Sequence, residues 1–236
     1  MTNPKISIIT VTFNSEQFLE ETISSVINQN YDNLEYIIID GGSTDSTLEI
    51  IEKYEDHITY WASEDDRGIY DAINKGILVS KGDYIGIINS DDWYELGVLK
   101  SLVKSINDNQ PDIIHGILRL WENDKLMGLQ GYTSNFLNYG MISHPTCFVK
   151  REVYNSIGLF NTKYVIAADY DFMLNCFNRN VKFFYVEQVI ANFRLSGISN
   201  SNSSLRESET SQVLFSHKRI SLIKHFFNLV KYLIKR

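Results

Sequence analysis

The residues best suited to chemistry are acids that stand just past apolar, β-branched runs. Asp40 closes the run 34–39, Asp65 and Asp66 follow the run 58–61, and Asp91 and Asp92 end the run 84–88 in Asn89-Ser90-Asp91-Asp92. Carboxylates held on a rigid strand end can bind Mg2+ or Mn2+, ions that take oxygen ligands and often share them with substrate phosphates. Such an ion neutralises a diphosphate as negative charge develops on it. The plain alternative is that Asp91 and Asp92 cap the next helix. Other phosphate and metal chemistries have no residues here. A dinucleotide-binding turn needs glycines after the first strand, where this chain has Phe13-Asn14-Ser15-Glu16, and there is no Walker loop. Cys147 and Cys176 form no Cys-x-x-Cys pair, and no His/Cys cluster has zinc spacing.

Elements must bring these acids together, because they are far apart in the chain. Residues 6–13 and 34–39 read as strands buried on both faces, since they are apolar without polar alternation. Asn14 and Ser15 are N-cap types ahead of helical spacing at Phe18, Leu19, Ile23, Val26 and Ile27. Thr44 or Asp45 opens a second helix. A short strand at 58–61, a helix at 69–79, a strand at 84–88 and a helix at 96–106 continue the alternation. Repeated strand–helix units imply a parallel sheet with helices on both faces. Ligands of such sheets bind at the carboxyl ends of the strands, so Asn14, Asp40, Asp65, Asp66, Asp91 and Asp92 are expected to converge there. The second half is less regular: a hairpin at 113–121 and 126–129, a strand at 145–149, a short helix from Arg151, a helix at 168–178, strands at 182–186 and 189–195, and a Ser/Asn/Gly-rich loop at 196–204.

Four stretches taken together resemble the family-2 glycosyltransferases of the GT-A fold, an inverting, nucleotide-sugar-dependent group. They are SIITVTFN (7–14), IIIDGGSTDST (37–47), DRGIYDAINKGI (66–77) and GDYIGIINSDD (82–92). Their order and spacing match, and the resemblance spans residues 5 to 200. It implies an α/β, Rossmann-like, mixed and mostly parallel sheet flanked by helices. It also implies roles. Thr12 and Phe13 flank the nucleotide base, Asp40 hydrogen-bonds it, and Asp66 helps hold the nucleoside. Asp91 contacts the ribose, and Asp92 is the ligand for Mn2+ or Mg2+. Lys75 is either a phosphate counter-charge or a solvent-exposed lysine. Arg194, ahead of the Ser/Asn loop, is either part of a lid over the diphosphate or an ordinary surface arginine.

Inverting transfer also needs a base for the acceptor hydroxyl. Residues 166–172, IAADYDF, resemble the family's late Glu-Asp motif, which aligns Asp169 with the general base. Ala168 replaces the Glu, so Asp171 stays open as an alternative. His144, in ISHPT (142–146), is either an acceptor or donor-sugar contact or a structural histidine.

The chain has 236 residues and a net charge of −7. That length fits one large α/β domain. Residues 216–236 hold six Lys/Arg and no acid, which leaves 16 basic against 29 acidic residues elsewhere. An acidic body argues against nucleic-acid binding. With few cysteines, no signal-peptide pattern and no run long enough to span a bilayer, a cytoplasmic setting is expected. The chain divides into a catalytic domain, 1–215, and a basic amphipathic helix, 216–236. Drawn as a helix, the latter carries Ile220, Ile223, Phe227, Val230 and Ile234 on one face and lysines on the other. Such a helix suits an anionic membrane interface, or else docking on protein. By analogy, the acceptor is a lipid-linked glycan of bacterial surface-polysaccharide assembly, at the inner face of the cytoplasmic membrane. Two rival readings are a nucleotidyltransferase, which would release pyrophosphate, and a non-catalytic metal- or sugar-binding module.

Overall fold

The computed structural model describes residues 3–195, 202–225 and 228. The first strand, β1 (Ile6–Thr12), is buried at all seven positions. It leads through α1 (Leu19–Ile27), β2 (Leu34–Asp40), α2 (Thr47–Lys53), β3 (Tyr60–Ser63) and α3 (Ile69–Val79) to β4 (Tyr84–Asn89). The second half adds β5 (Trp93–Tyr94), α4 (Val98–Asn109), β6 (Ile113–Glu122), β7 (Lys125–Gln130), β8 (Phe148–Lys150), α5 (Arg151–Ile157), α6 (Ala168–Asn178), β9 (Phe183–Arg194) and α7 (Ser203–Ser216). These strands form one sheet in the order β3-β2-β1-β4-β8-β6-β9-β5, with β7 paired to β6.

The first four strands run parallel, as strand–helix alternation requires. β8 is antiparallel to both β4 and β6, and β9 then lies parallel to β6. Helices cover both faces of this mixed sheet. On one face, Tyr70, Ile73, Val153, Phe172 and Met173 pack against Ile9, Ile37 and Ile85. On the other, Leu19, Ile23, Ile51 and Leu102 pack against Ile8, Ile38 and Ile88.

Several local expectations change. Asn14 and Ser15 do not cap α1, which starts at Leu19 without a side-chain cap. The two strands expected at 182–186 and 189–195 are one, β9, whose register shifts around Gly116 absorb the irregularity. β5 was hidden by its two-residue length. Helix α7 begins inside the span read as a loop and ends at Ser216, where the tail helix was expected to begin. It escaped notice because it buries Ser208, Glu209 and Ser211 along with Val213, so it has no apolar stripe. Residues 217–221 break the helical path, with Lys218 at φ 58. A new helical segment starts at Leu222, where the Lys224 N–H donates to the Ser221 hydroxyl at 3.3 Å. Residues 196–201 and most of the expected tail helix lie outside the described residues. Among the described residues, no helix is long and apolar enough to cross a membrane.

Candidate active site

Register alone puts the acidic loops side by side. Thr12 pairs with Asp40, Asp40 with Ser63, and Val11 with Asn89, so the chains leaving β1 to β4 emerge together at the carboxyl edge. Small polar groups then stitch the loops. Ser15 Oγ lies 2.7 Å from Ser90 Oγ. Asn14 Oδ1 accepts the Thr44 N–H at 2.9 Å, and Glu16 Oε2 accepts that of Ser46 at 3.0 Å. Asn14 takes φ 48 to do this, a left-handed conformation that Asn tolerates better than most residues. Nothing in residue type singles out Ser15, Ser43 and Ser90, because their partners come from other loops.

Asp40 is buried and turned into its own loop. It accepts hydrogen bonds from Gly42 N–H (3.0 Å), Ser43 N–H (2.9 Å), Ser43 Oγ (2.5 Å) and Ser63 Oγ (2.6 Å). Four donors satisfy a carboxylate that would be costly to bury alone. The third loop lies directly on this one. A Cβ on Gly41 would fall 2.5 Å from Asp66 Oδ2, and one on Gly42 would fall 2.7 Å from Asp65 Oδ1. Glycine at both positions leaves room for the Asp65 and Asp66 carboxylates to lie against this loop. Asp66 also accepts the Gly68 N–H at 2.7 Å, shaping the entry to α3. Beside it, the Phe13 ring is 58% exposed, whereas Thr12 is buried with its hydroxyl unpartnered. A large aromatic left in solvent over a polar floor has the form of a stacking platform.

Neither Asp91 nor Asp92 caps the following helix, whose N-cap is Gly97. Asp92 is 0% exposed. One oxygen accepts the Arg194 N–H at 3.0 Å, and Oδ2 has no hydrogen-bond partner. Burial, reinforced by the neighbouring Asp91 charge, raises its proton affinity well above the ordinary carboxylate value. Asp91 is only partly buried and shifts the same way, again through burial. The Arg194 side chain is held in place: it pairs with Glu21, donates to the Asp91 carbonyl at 2.5 Å, and lies 4.3 Å from the Phe18 and Trp93 ring centres. Lys75 is also engaged, pairing with Glu64 at 2.9 Å and Asp71 at 3.8 Å. These two cations therefore face protein groups, and phosphate contact would require them to exchange partners.

Asp169 sits in the first turn of α6, whose N-cap is Ala167, so it is not a capping residue. Its Oδ1 accepts the Tyr170 N–H at 2.8 Å and the Tyr70 hydroxyl at 3.1 Å. Tyr70 belongs to α3, two residues beyond Gly68, so α6 is brought to the same edge as Asp66. Burial raises the proton affinity of Asp169, while His144 and these donors oppose the rise. Burial lowers the proton affinity of His144, and Asp169 opposes that change. The two residues are thus electrostatic neighbours, and His144 also packs edge-on to Phe160 with ring centres 5.6 Å apart. Asp171 points elsewhere, to His217 Nε2 at 2.8 Å.

Comparison with known proteins places the chain in a family and its sheet in a fold type. The chain is 29% identical over 207 residues to the PGL/p-HBAD biosynthesis glycosyltransferase of Mycobacterium bovis (strain BCG / Pasteur 1173P2), covering 85% of this chain and 81% of that protein. Its fold superimposes on S. aureus TarS 1-349 in complex with UDP-GlcNAc, with a TM-score of 0.75 and 18% identity, covering 97% of this chain and 71% of the other. It also matches the mannosyltransferase PcManGT from Pyrobaculum calidifontis in complex with GDP-Man and Mn2+, with a TM-score of 0.74 and 18% identity, covering 94% of this chain and 66% of the other. The model of Glycosyl transferase family 2 matches residues 7–163. With its sheet of the GT-A type, the chain belongs to glycosyl transferase family 2.

Proposed function

We propose that this glycosyltransferase moves a sugar from a nucleoside-diphosphate sugar, UDP-linked foremost, to an acceptor hydroxyl with inversion at the anomeric carbon. The observation that carries the reading is the setting of Asp169. It is a carboxylate made more basic by burial, fixed by Tyr70 beside His144, on the edge where Phe13 and Asp91 reach solvent. Burial makes such a group accept a proton more readily than an ordinary aspartate. Asp171, already bound to His217, is the weaker candidate.

In this mechanism Phe13 stacks on the base, and Asp66 and Thr12 hold the nucleoside against the loop that the Asp40 carboxylate braces. Asp169 takes the proton of the acceptor hydroxyl as its oxygen bonds to the anomeric carbon. The bond from that carbon to the diphosphate breaks on the opposite face, and its electron pair leaves with the nucleoside diphosphate. His144, the electrostatic neighbour of Asp169, is suited to a sugar hydroxyl.

A divalent cation fits the Asp91–Asp92 pair. Two adjacent carboxylates whose charges are both disfavoured by burial, one with an unpartnered oxygen, gain from a nearby Mn2+ or Mg2+. Among the described residues, no three His, Cys, Asp or Glu side chains form a metal cluster, so the donor's phosphates would complete the coordination. When bound, the ion supplies charge neutralisation for the departing diphosphate.

The acceptor is read as a lipid-linked glycan, with the basic tail as a membrane contact. Support comes from Leu222 and Ile223, which are 66% and 70% exposed, while His225 stacks on Phe215 of α7. Co-sedimentation with anionic vesicles, lost on truncation at residue 220, tests that part.

The main test is calorimetric titration of UDP, GDP and dTDP with Mn2+ and with EDTA, on the wild type and on Asp92→Ala. Metal-dependent binding of one nucleotide, lost in the variant, supports both donor class and metal. A folded protein that binds none overturns the reading. Release of pyrophosphate would point instead to nucleotidyl transfer.

A further inference from the structure

The geometry points to Glu209, on α7, as a positioning residue that holds the general base Asp169 in working geometry from outside its own helix. This rests on Asp169 being the base.

Glu209 is 5% exposed. Its carboxylate accepts the backbone N–H groups of Val165 (2.9 and 3.1 Å), Ile166 (2.8 Å) and Ala167 (3.0 Å). These are the residues that lead into α6. The positive end of a helix and the turn before it need acceptors, and the side chains of residues 165–168 offer none. Ala167 and Ala168 have no polar side chain, and α6 has no side-chain cap. A carboxylate from a helix more than forty residues downstream fills that role.

A chain of contacts carries the constraint to Asp169. The Ile166 carbonyl accepts the Tyr70 hydroxyl at 2.6 Å, and that hydroxyl also reaches Asp169 Oδ1 at 3.1 Å. A phenol has one proton, so the closer Ile166 carbonyl takes most of it and Asp169 receives the weaker share. Fixing Ile166 therefore limits how far Tyr70 stabilises Asp169 as a carboxylate, which preserves its basicity. A second clamp comes from the segment just after α7, where His217 meets Asp171 at 2.8 Å and Arg219 donates to the Asn178 side-chain oxygen at 2.5 Å. α7 and this segment thus grip α6 at its start and along its length, and the grip on its start goes through Glu209.

The test is steady-state hydrolysis of UDP-GlcNAc, or of GDP-Man if the titration selects GDP, with water as acceptor. Wild type, Glu209→Ala, Glu209→Gln and Asp169→Asn are compared across pH. Glu209→Ala is expected to lower kcat by about 10- to 100-fold with KM within about twofold. Its acid limb of kcat should move to lower pH, because Tyr70 then donates fully to Asp169. Glu209→Gln keeps an acceptor oxygen and should restore most of the rate. A Glu209→Ala enzyme with wild-type kcat and acid limb overturns the proposal, and so does a change confined to KM. An independent readout is amide hydrogen exchange on the wild type. Val165, Ile166 and Ala167 should exchange no faster than the core of α7, and fast exchange there overturns the proposal even if Glu209→Ala does not fold. If Asp169→Asn keeps full activity, the base assignment itself has failed. If Asp169→Asn is inactive and Glu209→Ala is normal, only the positioning role has failed.

Discussion

Replacing His115 with leucine should stabilise the protein, and more so in acid than at neutral pH. His115 lies in β6, 1% exposed, with neither ring nitrogen hydrogen-bonded. Its neighbours are the Phe183 and Tyr185 rings, at 6.1 and 5.5 Å between centres. Burial alone drops its pKa from 6.5 to about 4. A histidine whose folded pKa is depressed takes up its proton first in the unfolded state. Stability is therefore complete above the unfolded value and is lost as pH falls toward the folded one. With 6.5 unfolded and about 4 folded, the loss is negligible at pH 7.5, about 2 kcal/mol at pH 5 and about 3 kcal/mol once pH is well below 4. Leucine removes that dependence. It also removes two buried, unsatisfied polar atoms, worth on the order of 1–3 kcal/mol at any pH, at a small packing cost. Urea unfolding of both proteins at pH 7.5 and pH 5 measures the gap directly. The gap should widen by about 2 kcal/mol at pH 5. An equal gap at the two pH values would refute the reasoning, because it would mean that His115 is solvated or paired in the folded state.

Three further outcomes follow from the site. Asp169→Asn should abolish transfer by a factor of about 10²–10⁴ while leaving nucleotide affinity unchanged by calorimetry. Since burial disfavours the ionised form of Asp169, the neutral variant's thermal midpoint should equal or exceed that of the wild type. Phe13→Ala should weaken nucleotide binding by about 5- to 150-fold, the equivalent of about 1–3 kcal/mol for a lost base stack, with no change in thermal midpoint because the ring is 58% exposed; a fall in the midpoint would show that the ring packs in the core instead. Tyr70→Phe removes a hydrogen bond that favours the ionised form of Asp169, so the acid limb of the kcat profile should move to higher pH, the opposite of the shift expected for Glu209→Ala.

Much of this protein was legible from sequence because its first half is locally consistent. Apolar runs such as 84–88 have one stable use, as strands buried on both faces, and the helix at 69–79 follows from spacing alone. Strand–helix alternation then fixes a parallel sheet, and a parallel sheet puts every acid that follows a strand on one edge. Hence Asp40, Asp66, Asp91 and Asp92 could be gathered without coordinates. The tertiary structure decided what each acid does with its charge. Asp40 spends its hydrogen-bonding capacity on its own loop and Ser63, whereas Asp91 stays in touch with solvent and Asp92 is sealed beneath with one oxygen unpartnered. Lys75 and Arg194 proved to be engaged by partners in space, Glu64 and Glu21, that no spacing rule connects to them. The different settings of Asp169 and Asp171 likewise come from Tyr70 and His217, which are remote in the chain from both. Helix α7 was the largest omission. Its buried side is held by the Glu209 carboxylate and by serines rather than by an apolar stripe, and periodicity registers only the burial of apolar groups. Residue type and order fixed which groups stand at the edge of the sheet; pairing and burial, which depend on segments distant in sequence, set their proton affinities and their freedom to act.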